Sequence, residues 1–282
     1  LGAKDGLDLW TRIARVHKAD NINLPLFYYR RHGKNLTEDS IRLISAQRII
    51  KRDASLPDID TCRPITAVIP CRKNYDACPD LWMQEVGGKS LLARALEMCT
   101  ASRFLDHIVV TSDTPEVQEA MKAFPDSRLK FIERPTGDTM RSKSIVPTLE
   151  RVVQALSLGL EGITVLAYIQ TPFKTPESLD EAIFTLIMNR VDSAFAVEEI
   201  HAPLFRRTPH GLLAINPKKS LSTEYDTIYR ESRTTLATRN RNLRAGSLTG
   251  SRVVNFVVPK RAAFFIDTRE DLEVARVLDG MK

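Results

Sequence analysis

Strand-like and helix-like segments alternate along residues 64–282, and this alternation limits the possible fold more than any other feature of the sequence. The runs rich in apolar and β-branched residues are ITAVIP, DHIVVTS, RLKFIE, ITVLAYIQ, DSAFAVEEI and VVNFVVP. The runs between them, such as SLLARALEMCTA and TPESLDEAIFTLIMN, are typical of helices, and Thr-Pro pairs that favour helix starts precede two of them. Such alternation predicts an α/β protein with a mostly parallel sheet in three layers.

The loop after the first predicted strand is the first candidate ligand site. The strand ends at Pro70, about twenty residues of polar loop follow, and a GGK turn then opens a helix. In α/β sheets, ligands bind in the crevice beyond the carboxyl ends of the strands. Arg72 and Lys73 begin this loop and Lys89 ends it, so cations flank a place suited to a triphosphate. The loop is not a P-loop, because G-x-x-x-x-G-K-[ST] is absent.

Composition narrows the class of protein. The chain has 282 residues and four cysteines without the paired spacing of a zinc site, which predicts free thiols and a cytoplasmic location. No apolar run reaches transmembrane length, so we expect no membrane span. The whole net charge of +6 lies in residues 1–52. We interpret it as a solvated surface and expect no nucleic-acid partner, because no aromatic-basic platform accompanies it.

The segment that begins at ITAVIP resembles the opening of the CMP-sugar synthetases, cytidylyltransferases that activate sialic acid, related nonulosonates and Kdo. The residues that match their I-P-A-R and G-K-P-L motifs are Ile69, Pro70, Arg72, Gly88, Lys89 and Leu91. The resemblance continues in order through HIVVTSDTPEVQEAM, FIERPTGD, YIQTPFKTPESLDEAI and FFIDTREDLEVARVL, over roughly 220 residues. It implies the Rossmann-like fold of the nucleotide-diphospho-sugar transferases, which is of the GT-A-like type.

The resemblance also implies a reaction and its residues. CTP would react with an acidic sugar, and the implied assembly is a homodimer. Asp267 would hold Mg²⁺, although it is also placed to cap the helix that follows. Catalytic roles would fall to Arg72, Lys89 and Asp267, nucleotide binding to Arg72, Lys73, Asn74, Gly88 and Lys89, and substrate contacts to Asp113 and Arg134.

Several positions depart from the pattern of that family. Its Gly-Ser-Lys is Asn74-Tyr75-Asp76 here, and its Lys-Asn pair is Leu81-Trp82. Phe265 stands where the first acid of a D-x-D pair would be, and Ser232-Arg233 replaces an Asn-Gly. The alternative to an enzyme is therefore a catalytically degenerate nucleotide- or sugar-binding domain fused to a glycosyltransferase.

Residues 1–52 have a different pattern. LDLWTRIARVHKA followed by LPLFYYRRHGKNLT resembles the carboxyl-terminal end of family 2 glycosyltransferases, with Asp5 at the position of their catalytic base. We therefore expect three parts, namely a glycosyltransferase fragment at 1–52, a linker at 53–63 and a cytidylyltransferase-like domain at 64–282. On this interpretation Leu1 marks a cut within a longer polypeptide, and a third possibility is that the whole polypeptide is chiefly a glycosyltransferase. Residues 1–52 should then pack as a separate or weakly attached piece.

Overall fold

The computed structural model describes residues 4–18, 20, 40–75, 78–135, 137, 144–200, 202–216 and 228–281. Its central sheet has seven strands: β1 (Ile65–Pro70), β4 (His107–Ser112), β5 (Leu129–Glu133), β6 (Ile163–Leu166), β7 (Ser193–Ile200), β10 (Ile228–Arg239) and β11 (Val253–Val257). Their order across the sheet is β11-β7-β10-β6-β1-β4-β5. Within this sheet β10 runs antiparallel to both of its neighbours, and the other pairs are parallel.

Helices cover both faces of the sheet. They are α1 (Asp5–Val16), α2 (Ser40–Ser55), α3 (Leu91–Ala101), α4 (Pro115–Met121), α5 (Val146–Ala155), α6 (Pro176–Asn189), α7 (Asn240–Arg244) and α8 (Arg269–Gly280), with 3₁₀ turns at Leu56–Cys62 and Leu81–Met83. Ile65, Ala67 and Ile69 of β1 pack into the core formed with α3, α4, α6 and α8. Val68 points to the other core, with α5 and α7. The predicted three-layer α/β fold is confirmed.

Two short hairpins interrupt the alternation. The first joins β2 (Glu85–Val86) to β3 (Lys89–Ser90), and the second joins β8 (Phe205–Thr208) to β9 (Gly211–Ala214). Gly87 and Gly88 form the first turn with φ angles of 61° and 73°, a left-handed conformation that favours glycine. A Cβ atom at Gly87 would also collide with Asp279 of α8. These glycines are therefore required by the turn itself.

The predicted strands are confirmed, each within a few residues of its bounds, and so are two of the helix caps. Thr175 and Thr268 form capping boxes with Ser178 and Asp271. Thr114 also occupies the N-cap of α4 with Pro115 in the first turn, as predicted, but its hydroxyl bonds to the Glu116 carboxylate and accepts no backbone N–H.

The amino-terminal segment differs from the prediction. The predicted linker 53–63 is helical, since its first residues end α2 and the 3₁₀ turn follows. Helix α2 packs against α6, where Ala46, Ile50 and Ala54 are buried. Thus the expected boundary after residue 52 falls inside a helix that is attached to the main domain. The LPLFYYRRHGKNLT run of the glycosyltransferase resemblance lies outside the residues that the structure describes, and that assignment stays a prediction.

Candidate functional site

The carboxyl ends of the parallel strands and the amino end of β10 meet at one edge of the sheet, as the strand directions require. Four of the predicted site residues follow strands there: Arg72 and Lys73 follow β1, Asp113 follows β4, and Arg134 follows β5. Edges of this kind are the usual ligand sites of open α/β sheets. We call it the carboxyl edge.

Aromatic packing and a backbone hydrogen bond shape the loop after β1. The Arg72 guanidinium lies 4.7 Å from the centre of the Tyr75 ring, a cation–π distance. The Lys73 N–H donates to Asp113 Oδ1 at 2.9 Å. Asp113 therefore links the loop after β1 to the end of β4. Asn74 forms an isolated bridge with Pro79 and is exposed, and Asp76 lies outside the described part of the loop.

Arg134 lies deeper in the same edge. The residue is only 6% exposed, and its backbone N–H donates to the Ser112 carbonyl at 2.8 Å. Burial raises the pKa of the Cys71 thiol well above its usual range, and the Arg134 charge offsets this only in part. The Cys71 thiol is therefore protonated at neutral pH and is a poor nucleophile. Arg134 supplies a buried positive charge close to the end of β1.

Lys89 takes a different position from the one predicted for a phosphate ligand. Its ammonium lies 2.7 Å from a Glu97 carboxylate oxygen on α3, and both side chains are about half exposed. Gly88 belongs to the hairpin turn before it. Lys89 is thus a surface lysine after a tight turn, and the phosphate roles of Lys89 and Gly88 stay predictions that require this ion pair to open.

Asp267 lines a cavity of about 360 Å³ at the other end of the same edge. Its walls come from β7, β10 and the loop between β11 and α8, and we call it the edge cavity. The lining residues are Glu198, Arg230, Glu231, Ser232, Arg233, Lys260, Ala263, Phe264, Phe265, Asp267 and Asp271. The cavity therefore combines charges of both signs with an aromatic wall.

Tyr168 lies between the two ends of the carboxyl edge, because it follows β6 and β6 lies between β10 and β1 in the sheet. Its ring meets Phe265 edge-to-face, with centroids 6.1 Å apart. Burial raises the pKa of Tyr168 and Glu231 raises it further, whereas Arg233 and Arg134 lower it. Charges from Arg134 and from the cavity residues Glu231 and Arg233 therefore act on one hydroxyl that lies between them along the carboxyl edge.

Of the described residues around the edge cavity, Asp267 is the one predicted to hold a metal ion. Among them, no group of three His, Cys, Asp or Glu side chains is placed to hold a metal. Asp271 beside Asp267 accepts hydrogen bonds from the Thr268 N–H and hydroxyl at 2.8 and 2.9 Å, so it is occupied by the helix cap. Phe265 supplies no carboxylate. Asp267 alone fits a magnesium ion that arrives on a substrate's phosphates, since Mg²⁺ keeps most of its waters.

Comparison with known proteins identifies the fold. No protein-family profile and no curated protein matches the chain in sequence. In structure it resembles CMP:2-keto-3-deoxy-manno-octonic acid synthetase complexed with CTP, with a TM-score of 0.57 and 16% identity, over 77% of this chain and 98% of that one. It also resembles 4-diphosphocytidyl-2C-methyl-D-erythritol synthase from Anaerococcus prevotii DSM 20548, with a TM-score of 0.58 and 14% identity, over 78% and 98%.

A second structure of 4-diphosphocytidyl-2C-methyl-D-erythritol synthase gives a TM-score of 0.54 at 16% identity, over 77% of this chain and 99% of that one. At such identities the likeness establishes a shared fold and no more. It agrees with the Rossmann-like fold that the sequence resemblance implied.

Sequence reasoning missed three residues that the fold brings to this site. Arg233 was noted only as a departure from a family pattern, and Tyr168 and Lys174 only as parts of the segment YIQTPFKTPESLDEAI. Their places depend on the partners of β10, a strand that was not predicted. The signal that could have found β10 is the row Thr234, Thr235 and Thr238, whose side chains are buried in the sheet.

Proposed function

We propose that the protein is a CTP-dependent cytidylyltransferase that activates an acidic sugar to its CMP derivative. The observation that carries the proposal is the shared carboxyl edge, where stacked Arg72 and buried Arg134 follow β1 and β5 and Asp267 lines the edge cavity. The first end suits a nucleotide triphosphate, and the cavity suits a small polar acceptor. The shared fold with a synthetase complexed with CTP supports this choice of nucleotide.

The reaction we propose is attack of a sugar hydroxyl on the α-phosphate of CTP, with pyrophosphate as the leaving group. Negative charge gathers on the phosphate oxygens in the transition state, so cations placed there in advance lower the barrier. Arg72 is assigned to the phosphates, with Lys73, Asn74, Gly88 and Lys89 as the predicted remainder of the nucleotide site. Besides its predicted substrate contact, Asp113 positions the loop after β1, because it accepts a hydrogen bond from the Lys73 backbone N–H.

Magnesium is part of the proposal, with Asp267 as its protein ligand. When bound, the ion would neutralise phosphate charge and polarise the reacting phosphoryl group. Asp267 would orient the CTP phosphates that carry the ion toward the acceptor in the edge cavity. With a single carboxylate available, metal affinity should be low without nucleotide and should rise when CTP is present.

The alternative is a nucleotide- or sugar-binding domain without catalysis, and Phe265 in place of an acid favours it. This domain would serve a glycosyltransferase, since residues 1–52 resemble the end of one. The two functions differ in one product, pyrophosphate. A binding domain retains CTP affinity and releases none.

The first experiment measures CTP binding by calorimetry with and without Mg²⁺, and then pyrophosphate release with a panel of nonulosonic acids. Changing Asp267 to Asn keeps the side-chain shape and removes its charge, so we expect turnover to fall by orders of magnitude. Asp60→Asn, at a carboxylate that is 87% exposed on the 3₁₀ turn, is the matched control and should leave turnover unchanged. Turnover that survives Asp267→Asn would falsify the role of this residue, and CTP binding without pyrophosphate supports the alternative.

We also propose a homodimer that forms through the β8–β9 hairpin. The hairpin exposes Phe205, Leu212 and Leu213, and Leu212 is 72% exposed. Phe205 and Leu212 lie on one face of the hairpin and Leu213 on the other, and exposed apolar side chains that share a face are typical of an interaction surface. Sedimentation analysis should give a dimer for the native chain and a monomer for Leu212→Asp. A native monomer at micromolar concentration contradicts this proposal.

The remaining predictions concern the absence of a membrane span and the location of the protein in the cell. Within the described ranges, every helix is too short or too polar to span a bilayer. The four cysteines are free thiols, which supports the proposed cytoplasmic location.

A further inference from the structure

Arg233 has an unusual backbone conformation in the wall of the edge cavity. Its φ angle is 53°, in the left-handed region that residues with a Cβ atom avoid. The strain arises where four residues, 232–235, stand opposite Ala196 alone, between the paired positions Glu231 and Leu236. We call these four residues the β10 bulge. Such strain persists only where the surrounding structure imposes it.

The surroundings of the bulge hold it firmly. The Ser232 hydroxyl donates to the Ala196 carbonyl at 3.0 Å and lies 2.7 Å from Thr234 Oγ1. Lys174, only 8% exposed, donates from Nζ to the Thr234 carbonyl at 2.9 Å. Buried polar groups on both sides thus fix the backbone around Arg233, while the Arg233 side chain itself is exposed.

The side chain is also oriented. The Arg233 guanidinium lies 4.9 Å from the centre of the Phe265 ring, and Phe265 in turn packs against Tyr168. Stacking uses the face of the guanidinium plane, whereas its hydrogen-bond donors lie within the plane. This geometry leaves a planar fork suited to a carboxylate or a phosphate group.

The cavity contains other charged residues of both signs. Arg230 is paired with Glu198 at 2.8 Å, and Asp271 is committed to the α8 cap. Arg233, Lys260, Glu231 and Asp267 also line the cavity. The carboxylates can accept hydrogen bonds from hydroxyl or amino groups, so a ligand with an anionic group beside such donors matches both signs.

We propose that Arg233 is the specificity-determining residue of the edge cavity and binds the anionic group of the acceptor, with the β10 bulge serving to present it. The proposal rests on the proposed function in assigning this cavity to the acceptor. A carboxylate and a phosphate share the chemistry that Arg233 recognises, so the test includes both.

The test uses the full chain and three probes: N-acetylneuraminic acid for a carboxylate, glucose 1-phosphate for a phosphate, and glucose as the neutral reference. Affinities are measured by calorimetry for the wild type, Arg233→Ala, Arg233→Gly and Arg233→Lys. Arg269→Ala, at an exposed arginine outside the cavity lining, is the control. CTP affinity is measured in parallel. If the wild type does not bind CTP, the proposed function is rejected, while the sugar affinities still decide the role of Arg233.

We expect one of the anionic sugars to bind the wild type more tightly than glucose does. Arg233→Ala and Arg233→Gly should both weaken that binding tenfold or more, Arg233→Lys should keep part of it, and Arg269→Ala should not change it. Arg233→Gly should unfold at higher urea than Arg233→Ala, because glycine accepts the left-handed φ. Equal losses of binding in spite of different stabilities show that the guanidinium, and not the fold of the bulge, is what binds. The proposal is overturned if no anionic sugar outbinds glucose, if Arg233→Ala retains binding, or if binding follows stability across the variants.

Discussion

Charged residues have opposite roles at the α2–α6 interface and at the carboxyl edge. At the interface, Glu181 is only 2% exposed and accepts hydrogen bonds from Lys51 Nζ and Arg48 Nε, both at 2.7 Å. At the edge, Arg233 is exposed and held in a strained conformation. Charges that neutralise one another maintain a structure, whereas charges kept open to a cavity are available to a ligand. The difference separates residues that hold the fold from residues that we assign to function.

The largest effect on stability should come from Glu181→Gln. This change leaves the buried ammonium of Lys51 without its carboxylate, and removing one partner of a buried pair costs about 3–5 kcal/mol. Urea denaturation measures the loss. Glu97→Gln breaks the exposed pair with Lys89 and is the matched control, with an expected cost of at most about 1 kcal/mol. Similar losses for the two variants would mean that α2 is not anchored by Glu181.

A second prediction concerns Lys174, which supports the β10 bulge. Burial lowers the pKa of Lys174 from 10.5 to about 8 in the folded protein. The unfolded chain therefore binds more protons between these pH values, so folding stability rises with pH across that window by about 3 kcal/mol. Urea denaturation at pH 8 and 10.5 should show this rise for the wild type relative to Lys174→Met. If the free energy of unfolding changes with pH in the same way in both proteins, the lowered pKa of Lys174 is contradicted.

A smaller effect should come from Asp180, on the same helix as Glu181 but without a basic partner among its described contacts. Burial raises the pKa of Asp180 to about 6, while its hydrogen bond from Ser102 lowers it. A raised folded pKa favours the protonated acid, so stability is lost as pH rises from about 4 to 6. Asp180→Asn should remove this loss and stabilise the protein by about 1–2 kcal/mol at pH 7, after allowance for partial exposure. A variant that is no more stable than the wild type at pH 7 argues against this environment.

The comparison also explains what the sequence could predict. Strand β1 was predicted to the residue because all six of its side chains are buried and its run is continuously apolar. Strand β10 was missed because most of its buried residues are polar and its bulge interrupts the alternation. Helix α2 was missed because its contacts with α6 join residues about 130 apart in the chain, which no local pattern records.

The same reasoning applies to the site. Arg72, Asp113 and Arg134 could be placed at the carboxyl edge from the sequence because each follows a strand, and their roles there stay predictions. The place of Arg233 depends on a bulge that Lys174 and Ala196 hold by hydrogen bonds, and both residues are distant from the bulge along the chain. The ion pair of Lys89 with Glu97 likewise depends on how a hairpin lies against α3. Position along a strand is local information, whereas side-chain direction depends on packing.

The most direct test of the account is a crystal structure of the protein with CTP and magnesium. We expect the triphosphate at the carboxyl end of β1, with phosphate oxygens within hydrogen-bond distance of Arg72 or Arg134, and no nucleotide between α2 and α6. The edge cavity beside Arg233 should remain available for the acceptor. A nucleotide bound away from the carboxyl edge, or no binding at millimolar CTP, would contradict the central claim that this edge is a cytidylyltransferase site.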